Sequence, residues 1–210
     1  PENSVAAFFQ AFMQQGKLQM IGEATPQELE SMRRLLPGFA ASFQIVYLEE
    51  LPEKKVQTIF HKLAEFADKN LNIHIDRDAQ TLTYRLLMRY YPYESFPGKG
   101  IKFLGRCIND VQIKQANHIN RKVVIENFVA QTGMPELFLR DDLLLDQSEL
   151  RQFFESRIIG QPEAVKRMGE IVKIFKAGLN NPHKPIATLI FAGPTGVGKT
   201  ASAKALADYF

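Results

Sequence analysis

Residues 191–200, FAGPTGVGKT, decide which fold the rest of the chain can adopt. They contain the pattern G-x-x-x-x-G-K-[ST], which is typical of a phosphate-binding loop when it joins a strand to a helix. The continuous apolar run IATLIFAG, residues 186–193, predicts a central parallel strand before the loop. Apolar residues at helical spacing follow the loop, from Ala203 to Phe210. The stretch therefore predicts a nucleotide-binding α/β module.

Each residue type in the loop has a chemical reason to be there. Glycines lack a Cβ atom, so successive backbone N–H groups can approach phosphate oxygens closely. The helix that begins near Gly198 adds the positive end of its dipole and unpaired N–H donors. Lys199 supplies a positive charge for the β- and γ-phosphates and is the predicted catalytic residue, while the Thr200 hydroxyl is the predicted Mg²⁺ ligand. The predicted nucleotide-binding residues of the loop are Gly193, Pro194, Thr195, Gly196, Val197, Gly198, Lys199, Thr200 and Ala201.

Composition and charge argue against several other classes of protein. The 210 residues are 45% apolar, and 26 basic and 23 acidic side chains are mixed along the chain for a net charge of +3. This mixture indicates a solvated surface, and we expect no nucleic-acid partner. No apolar run approaches the ~20 residues that span a bilayer, and no secretory leader opens the chain, so we expect a cytoplasmic protein without a membrane partner.

The single cysteine, Cys107, agrees with a reducing compartment. It lies near an apolar stripe of helical spacing, which favours a packed thiol over a nucleophile. The stripe consists of Ile101, Leu104, Ile108 and Val111.

The order of elements predicts two partial α/β modules with a helical segment between them. Residues 1–51 alternate helix and strand, with predicted strands at KLQMIGEA, residues 17–24, and FQIVYLEE, residues 43–50. After Pro52 the apolar spacing is helical. We place the domain boundaries at residues 1–51, 52–120, 121–150 and 151–210.

Four stretches resemble the Clp family of tandem AAA+ ATPases. Residues 157–207 resemble the opening of the second ATPase ring, with a Gly-Gln pair before a helix, a Lys-Pro before a strand and GPTGVGKT as the Walker A loop. GKLQMIGEATPQELE, residues 16–30, resembles the sensor-1 strand of the first ring, and FPGKGIKFLGRCINDV, residues 96–111, resembles its lid. VAQTGMP, residues 129–135, is similar to the joint between the rings.

The resemblance implies an α/β fold class, with a partial AAA+ P-loop sheet and a helical lid subdomain followed by the start of a second P-loop α/β module. Residues 1–51 would end the first large subdomain, 52–120 would form its lid, 121–150 would connect the modules and 151–210 would begin the second. ATP and Mg²⁺ are the implied cofactors, and the implied parent protein is a hexameric ATP hydrolase. The chain alone is expected to be inactive, because the Walker B carboxylate is expected outside it.

The resemblance also implies which residues cover the adenine and which residue acts as sensor 1. By position, Ile158 and Ile159 match the segment with which the family covers the adenine, and ordinary core packing explains Ile158 equally well. The sensor-1 threonine of the family matches Thr25 or Ala24, and the choice between them stays open.

One departure from the family concerns the arginine fingers of the first ring. Members of the family have two arginines directly before the Phe-Gln that opens the next strand, and this chain has Ala41 and Ser42 there. A finger arginine is worth about 10³ to 10⁵ in rate in related phosphoryl transfer, so the loss of both predicts a silent first ring. Arg33 and Arg34, eight residues earlier, are the alternative donors.

The resemblance implies a segment of an ATP-dependent unfoldase or chaperone that remodels or threads unfolded or tagged polypeptides, in some members for a partner peptidase. No sustained heptad runs from residue 111 to 147, which favours the peptidase-feeding ClpA type, or a secretion-associated relative, over the disaggregase type. Two alternatives stay open. One is a non-catalytic assembly or interaction module with a degenerate first ATPase site, and the other is a P-loop ATPase that remodels nucleic-acid complexes.

Overall fold

The computed structural model of the chain describes residues 5–181 and 184–210. The chain divides into two compact units, Pro1–Glu49 and Glu50–Phe210. Among the described residues, none of the helices combines the length and the apolar content that crossing a bilayer requires.

The first unit contains the helices α1 Val5–Gln14, α2 Pro26–Leu35 and α3 Pro37–Ala40. α2 begins at a capping box, in which the Thr25 N–H donates to Glu28 Oε2 at 2.7 Å and the Glu28 N–H donates to Thr25 Oγ1 at 3.3 Å. The hydrogen bonds from Thr25 favour the ionised carboxylate and lower the pKa of Glu28. The start of α2 is therefore fixed by local side-chain chemistry.

Three predicted strands are absent from the described residues. Residues 17–24, 43–50 and 186–193 carry the expected apolar side chains but form no strand. A strand forms only where its N–H and C=O groups pair with a neighbour, and these segments have no such neighbour in the described parts of the chain. Several of their apolar side chains are accordingly open to solvent, as at Ile21, which is fully exposed, and Leu48, which is 93% exposed. The prediction of these elements is wrong here because apolar content alone does not supply a pairing partner.

A helical subdomain opens the second unit, as the helical spacing after Pro52 predicts. It also contains a short parallel sheet, in which His74 pairs with His118 and Ile75 pairs with Ile119. Strands of two residues carry no periodic signal, so the sequence did not predict them. The elements are α4 Glu53–Leu71, β1 His74–Ile75, α5 Arg77–Tyr90, α6 Gly98–Ile113, β2 His118–Ile119 and α7 Arg121–Thr132.

One hydrophobic core joins the helices of this subdomain, and α7 contributes to it although it follows residue 120. Completely or almost completely buried side chains come from each of the four helices: Val56 and Phe60, Leu82, Leu104, and Val124 and Phe128. The apolar faces of α4 to α7 are therefore covered by each other.

The rest of the second unit consists of α8 Glu136–Leu139, α9 Gln147–Arg157, α10 Pro162–Lys176 and α11 Lys199–Tyr209. A second hydrophobic core lies between these helices. Its most deeply buried members are Phe138, Leu150, Phe154, Met168, Val172 and Ala205. Because Ala205 belongs to α11, this core holds the helix that follows the phosphate-binding loop.

The C-terminal end of α10 connects the two cores. The Arg89 guanidinium of α5 donates to the Phe175 carbonyl and lies 5.2 Å from the centroid of the Phe175 ring. The Tyr90 hydroxyl donates to the Phe138 carbonyl at 2.8 Å. A cation suits this position because the last carbonyls of a helix form the negative end of its dipole.

We predict that Gly100→Ala destabilises the second unit. A Cβ atom at this position would lie 2.2 Å from Cζ of Phe60, whose side chain is completely buried and has no free space to move into. Overpacking of this kind costs about 1–3 kcal/mol, which outweighs the gain of about 1 kcal/mol from replacing glycine by alanine in a helix. Urea denaturation should show a lower midpoint.

Gly105→Ala, in the same helix, is the matched control. No atom lies within 4 Å of its Cβ position, so this variant should raise the midpoint. Phe60→Leu should destabilise less in the Gly100→Ala background than in the unmutated chain, because the two positions share one contact. Equal midpoints for the two alanine variants would contradict the contact between Gly100 and Phe60.

We also predict that Arg89→Met lowers the free energy of unfolding by about 1.5–3 kcal/mol, the range for a hydrogen bond to a charged group. Methionine keeps much of the aliphatic volume but leaves the Phe175 carbonyl without the guanidinium. Arg85→Met on the same helix removes an exposed pair with Asp141 and should cost less than about 1 kcal/mol. Equal losses of unfolding free energy in the two variants, measured by urea denaturation, would show that the bond from Arg89 to the Phe175 carbonyl contributes no more than an exposed ion pair.

Candidate nucleotide-binding site

The backbone of the phosphate-binding loop requires glycine at specific positions. Gly196 and Gly198 have φ values of 88° and 92°, in the left-handed region that side chains with a Cβ atom rarely enter. A Cβ atom at Gly193 would lie 3.1 Å from Cγ2 of Val197. The glycines therefore permit a loop that turns tightly and closes on itself.

The Lys199 side chain lies along the inside of this loop. Its Nζ donates to the carbonyls of Gly193 at 2.8 Å and Pro194 at 2.6 Å. Among the described residues these two carbonyls are the acceptors for an ammonium group that has three N–H groups. One N–H therefore remains to donate to an anionic ligand, and the charge is already held in the loop before a ligand arrives.

Within the part of the chain that the structure describes, the N-terminus of α11 has no competing side-chain group. Its N-cap is Gly198, with no side-chain capping bond, and its first turn contains no acidic residue. The first N–H groups of a helix have no intrahelical acceptor and carry the positive end of the dipole. Thr200 and Ala201 are exposed at this end, so the Thr200 hydroxyl is accessible to a metal ion that accompanies an anion.

The two isoleucines predicted to cover the adenine have opposite environments. Ile158 is 4% exposed and packs in the second hydrophobic core, whereas Ile159 is 89% exposed. Ile158 therefore has the core-packing role that the sequence left open, and Ile159 has the free surface that a base would need.

Gln161 is a residue of this site that the sequence identified only as the start of a helix. Its Nε2 donates to the Val197 carbonyl at 3.3 Å. The contact places the turn that carries Ile159 beside the phosphate-binding loop. The Gly-Gln pair is visible in the sequence, but the partner 36 residues later is not.

In the first unit, the sensor candidate Thr25 and the finger candidate Arg33 already have local partners. The Thr25 hydroxyl caps α2, and Ala24 beside it is exposed. Arg33 donates to the Tyr47 hydroxyl at 3.1 Å.

Arg34 and the two positions that replace the family's arginines form no cluster of anion-binding groups among the described residues. Arg34 lines a shallow surface depression together with Pro26, Gln27, Glu30 and Ser31. Ser42 Oγ donates to the Gly38 carbonyl at 3.1 Å, and Ala41 has no polar side chain. The role of a finger therefore remains a prediction for Arg33 and Arg34.

Comparison with known proteins identifies Clp proteins among the relatives of this chain. No model of a known protein family matches the chain. The chaperone protein ClpB of Leptolyngbya boryana is 31% identical over 187 residues, which are 86% of this chain and 21% of that protein. The chloroplastic chaperone protein ClpC2 of Arabidopsis thaliana is 44% identical over 87 residues, 41% of this chain and 9% of that protein. A ClpA homologue of Porphyra purpurea, an ATP-binding subunit of the ATP-dependent Clp protease, is 42% identical over 87 residues, 41% of this chain and 11% of that protein.

Solved structures of Hsp104 match the fold over nearly the whole chain. A closed-state structure with ATPγS and FITC-casein has a TM-score of 0.66 at 24% identity, covering 99% of this chain and 36% of that one. A Saccharomyces cerevisiae Hsp104–casein complex in an extended conformation has a TM-score of 0.67 at 22% identity, with the same coverage. The predicted α/β fold class, a partial AAA+ module with a helical lid and the start of a second module, is thereby confirmed. The chain spans about a fifth or less of the length of the curated relatives named above.

Cys107 lies outside this site and is completely buried in α6. Burial, with a smaller contribution from the charge of Asp110, raises the pKa of the thiol to about 12. We predict that iodoacetamide leaves Cys107 unmodified in the folded chain at pH 8, where a thiol of this pKa is only about 10⁻⁴ ionised. In urea the same thiol should react readily, as mass spectrometry would show. Equal labelling rates in the two states would contradict a packed thiol.

Proposed function

Because the chain belongs to the Clp family of AAA+ ATPases, we propose that residues 193–201 bind Mg²⁺-ATP as part of an ATP-driven protein remodelling machine. The observation that carries the proposal is the position of Lys199, whose Nζ is already held by the carbonyls of Gly193 and Pro194 beside the uncapped start of α11. A positive charge, free N–H donors and a glycine backbone meet at one point, which is the chemistry that a triphosphate requires.

Each residue of the loop has a separate task in this proposal. The backbone N–H groups from Thr195 to Val197 and at the start of α11 bind phosphate oxygens, and Lys199 binds the β- and γ-phosphates with its remaining N–H. The exposed Thr200 hydroxyl is a ligand for Mg²⁺, which when bound neutralises charge that develops on the phosphates during transfer. Ile159 offers an apolar surface for the adenine, and buried Ile158 anchors the turn that carries it.

The proposed activity of the protein is ATP hydrolysis coupled to the unfolding or threading of polypeptides. The ClpA homologues are named as subunits of an ATP-dependent protease, and the Hsp104 structures contain casein. By this relation we propose polypeptide substrates, a hexameric assembly and, as in the ClpA type, a partner peptidase. A cytoplasmic location remains a prediction, and one of the relatives above is chloroplastic.

A second candidate function is that the first module serves as a platform for assembly while the second performs hydrolysis. It is favoured by the absence of a guanidinium at Ala41 and Ser42. The bond from Arg33 to the Tyr47 hydroxyl supports it further, since this arginine already has a partner within its own unit.

We predict that Lys199→Ala weakens Mg²⁺-ATP binding by the 210-residue chain by tenfold or more, because a hydrogen bond from a charged group is worth about 1.5–3 kcal/mol. Titration with a fluorescent ATP analogue measures the affinity. Lys204→Ala is the matched control, since Lys204 is an exposed lysine of the same helix. Equal affinities for the two variants would overturn the proposal.

The same two variants separate the two candidate functions when they are placed in a protein with both complete modules. Loss of nearly all ATP turnover in Lys199→Ala would identify the second module as the motor and support a platform role for the first. Survival of most turnover would show that the first module hydrolyses ATP without arginines at residues 41 and 42.

A further inference from the structure

We propose that Gln161 positions the phosphate-binding loop from outside it, by holding the Val197 carbonyl so that the Gly198 N–H faces the triphosphate. This role rests on the proposed function, since it concerns the same site. In this role Gln161, which lies in the turn before α10, controls the geometry of a loop 36 residues later in the chain.

The backbone of Gln161 is anchored on both sides. Before it, the N–H of buried Ile158 donates to the Phe154 carbonyl at 2.9 Å. Gly160 then reverses the chain with φ of 75°. After it, the Gln161 carbonyl accepts from the Val165 N–H at 3.1 Å. The backbone from which the side chain extends is therefore held in place.

The side chain of Gln161 bonds to the loop and does not cap its own helix. It occupies the N-cap position of α10 but makes no capping bond there. Its Nε2 instead donates to the Val197 carbonyl. Val197 is also restrained through its side chain, because Cγ2 lies against the position where Gly193 lacks a Cβ atom. Two independent contacts thus fix this residue of the loop.

Peptide geometry converts this contact into an orientation of the next N–H group. The Val197 carbonyl and the Gly198 N–H belong to one peptide unit, and in a trans peptide they point in opposite directions. The cis bond recorded among the described residues is Phe96–Pro97, so the unit at Val197 is trans. With the carbonyl held by Gln161, the Gly198 N–H must point away from Gln161, toward the other side of the loop.

The Gly198 N–H is suited to an anion on that side. Within the described ranges it donates to no backbone carbonyl. It directly precedes Lys199 and stands at the start of α11, where the dipole favours negative charge. A loop whose Val197 peptide rotated freely would present its carbonyl oxygen to the phosphates for part of the time, and would bind them more weakly.

The test compares Gln161→Met with the unmutated 210-residue chain, using Mg²⁺-ATP, Mg²⁺-GTP and inorganic tripolyphosphate as probes. Methionine has a similar length but no N–H donor. We expect about three- to tenfold weaker binding of ATP and of tripolyphosphate alike, the effect of one neutral hydrogen bond, with an unchanged ATP-to-GTP ratio and an unchanged melting temperature. Gln161→Glu should weaken both probes further, because a carboxylate cannot donate and repels the anion.

Gln152→Met is the matched control, since Gln152 is an exposed glutamine on α9, and it should bind every probe like the unmutated chain. Weaker ATP binding with unchanged tripolyphosphate binding would overturn the proposal and assign the amide to the base. Unchanged binding of both probes would also overturn it. So would a fall in melting temperature that accounts for the loss, because Gln161 would then be a purely structural residue.

The Lys199→Ala variant separates this proposal from the proposed function. If Lys199→Ala binds ATP and tripolyphosphate as the unmutated chain does, the loop is not the phosphate site, and both proposals fail. If Lys199→Ala loses binding while Gln161→Met does not, the loop is the phosphate site and only the role of Gln161 is wrong.

Discussion

Phe175, in the last turn of α10, is the residue on which the packing of the second unit depends. Its carbonyl accepts from the Arg89 guanidinium, and its ring lies 5.9 Å from that of Tyr90, 5.2 Å from that of Phe138 and 5.0 Å from that of Phe210. Aromatic pairs at these distances and angles are favourable beyond the area they bury. One side chain therefore contacts α5, α8 and the residue that follows α11.

The same cluster determines where the proposed nucleotide site lies. α11 carries Lys199 at its first residue, and Tyr209 at its last residue packs on Phe153 and Phe154. Because a helix is stiff over a length of 11 residues, holding its C-terminal end also orients its N-terminal end. Loop residues near this N-terminus, up to Val197, are exposed. A rigid helix thus presents the proposed anion site to solvent.

The sequence and the structure differ most where an apolar run has to find a partner. Residues 186–193 have the composition of a buried strand, yet Ile190 is 90% exposed. The α/β class was predicted correctly, since the Hsp104 structures share the fold. The individual strands were not, because a strand depends on hydrogen bonds to a second strand that is distant along the chain. The helices were predictable because their bonds are local.

The sequence by itself determined the conformation of the predicted phosphate-binding loop. Glycines without a Cβ atom, a lysine and the start of a helix lie within eight residues of each other, so their contributions depend only on neighbouring positions. Only the tertiary structure decided that Ile158 is buried while Ile159 is exposed, that Arg89 binds the end of α10, and that Gln161 reaches Val197. These outcomes depend on which surfaces of distant helices pack against each other. The spacing of residues along the chain does not show which surfaces these are.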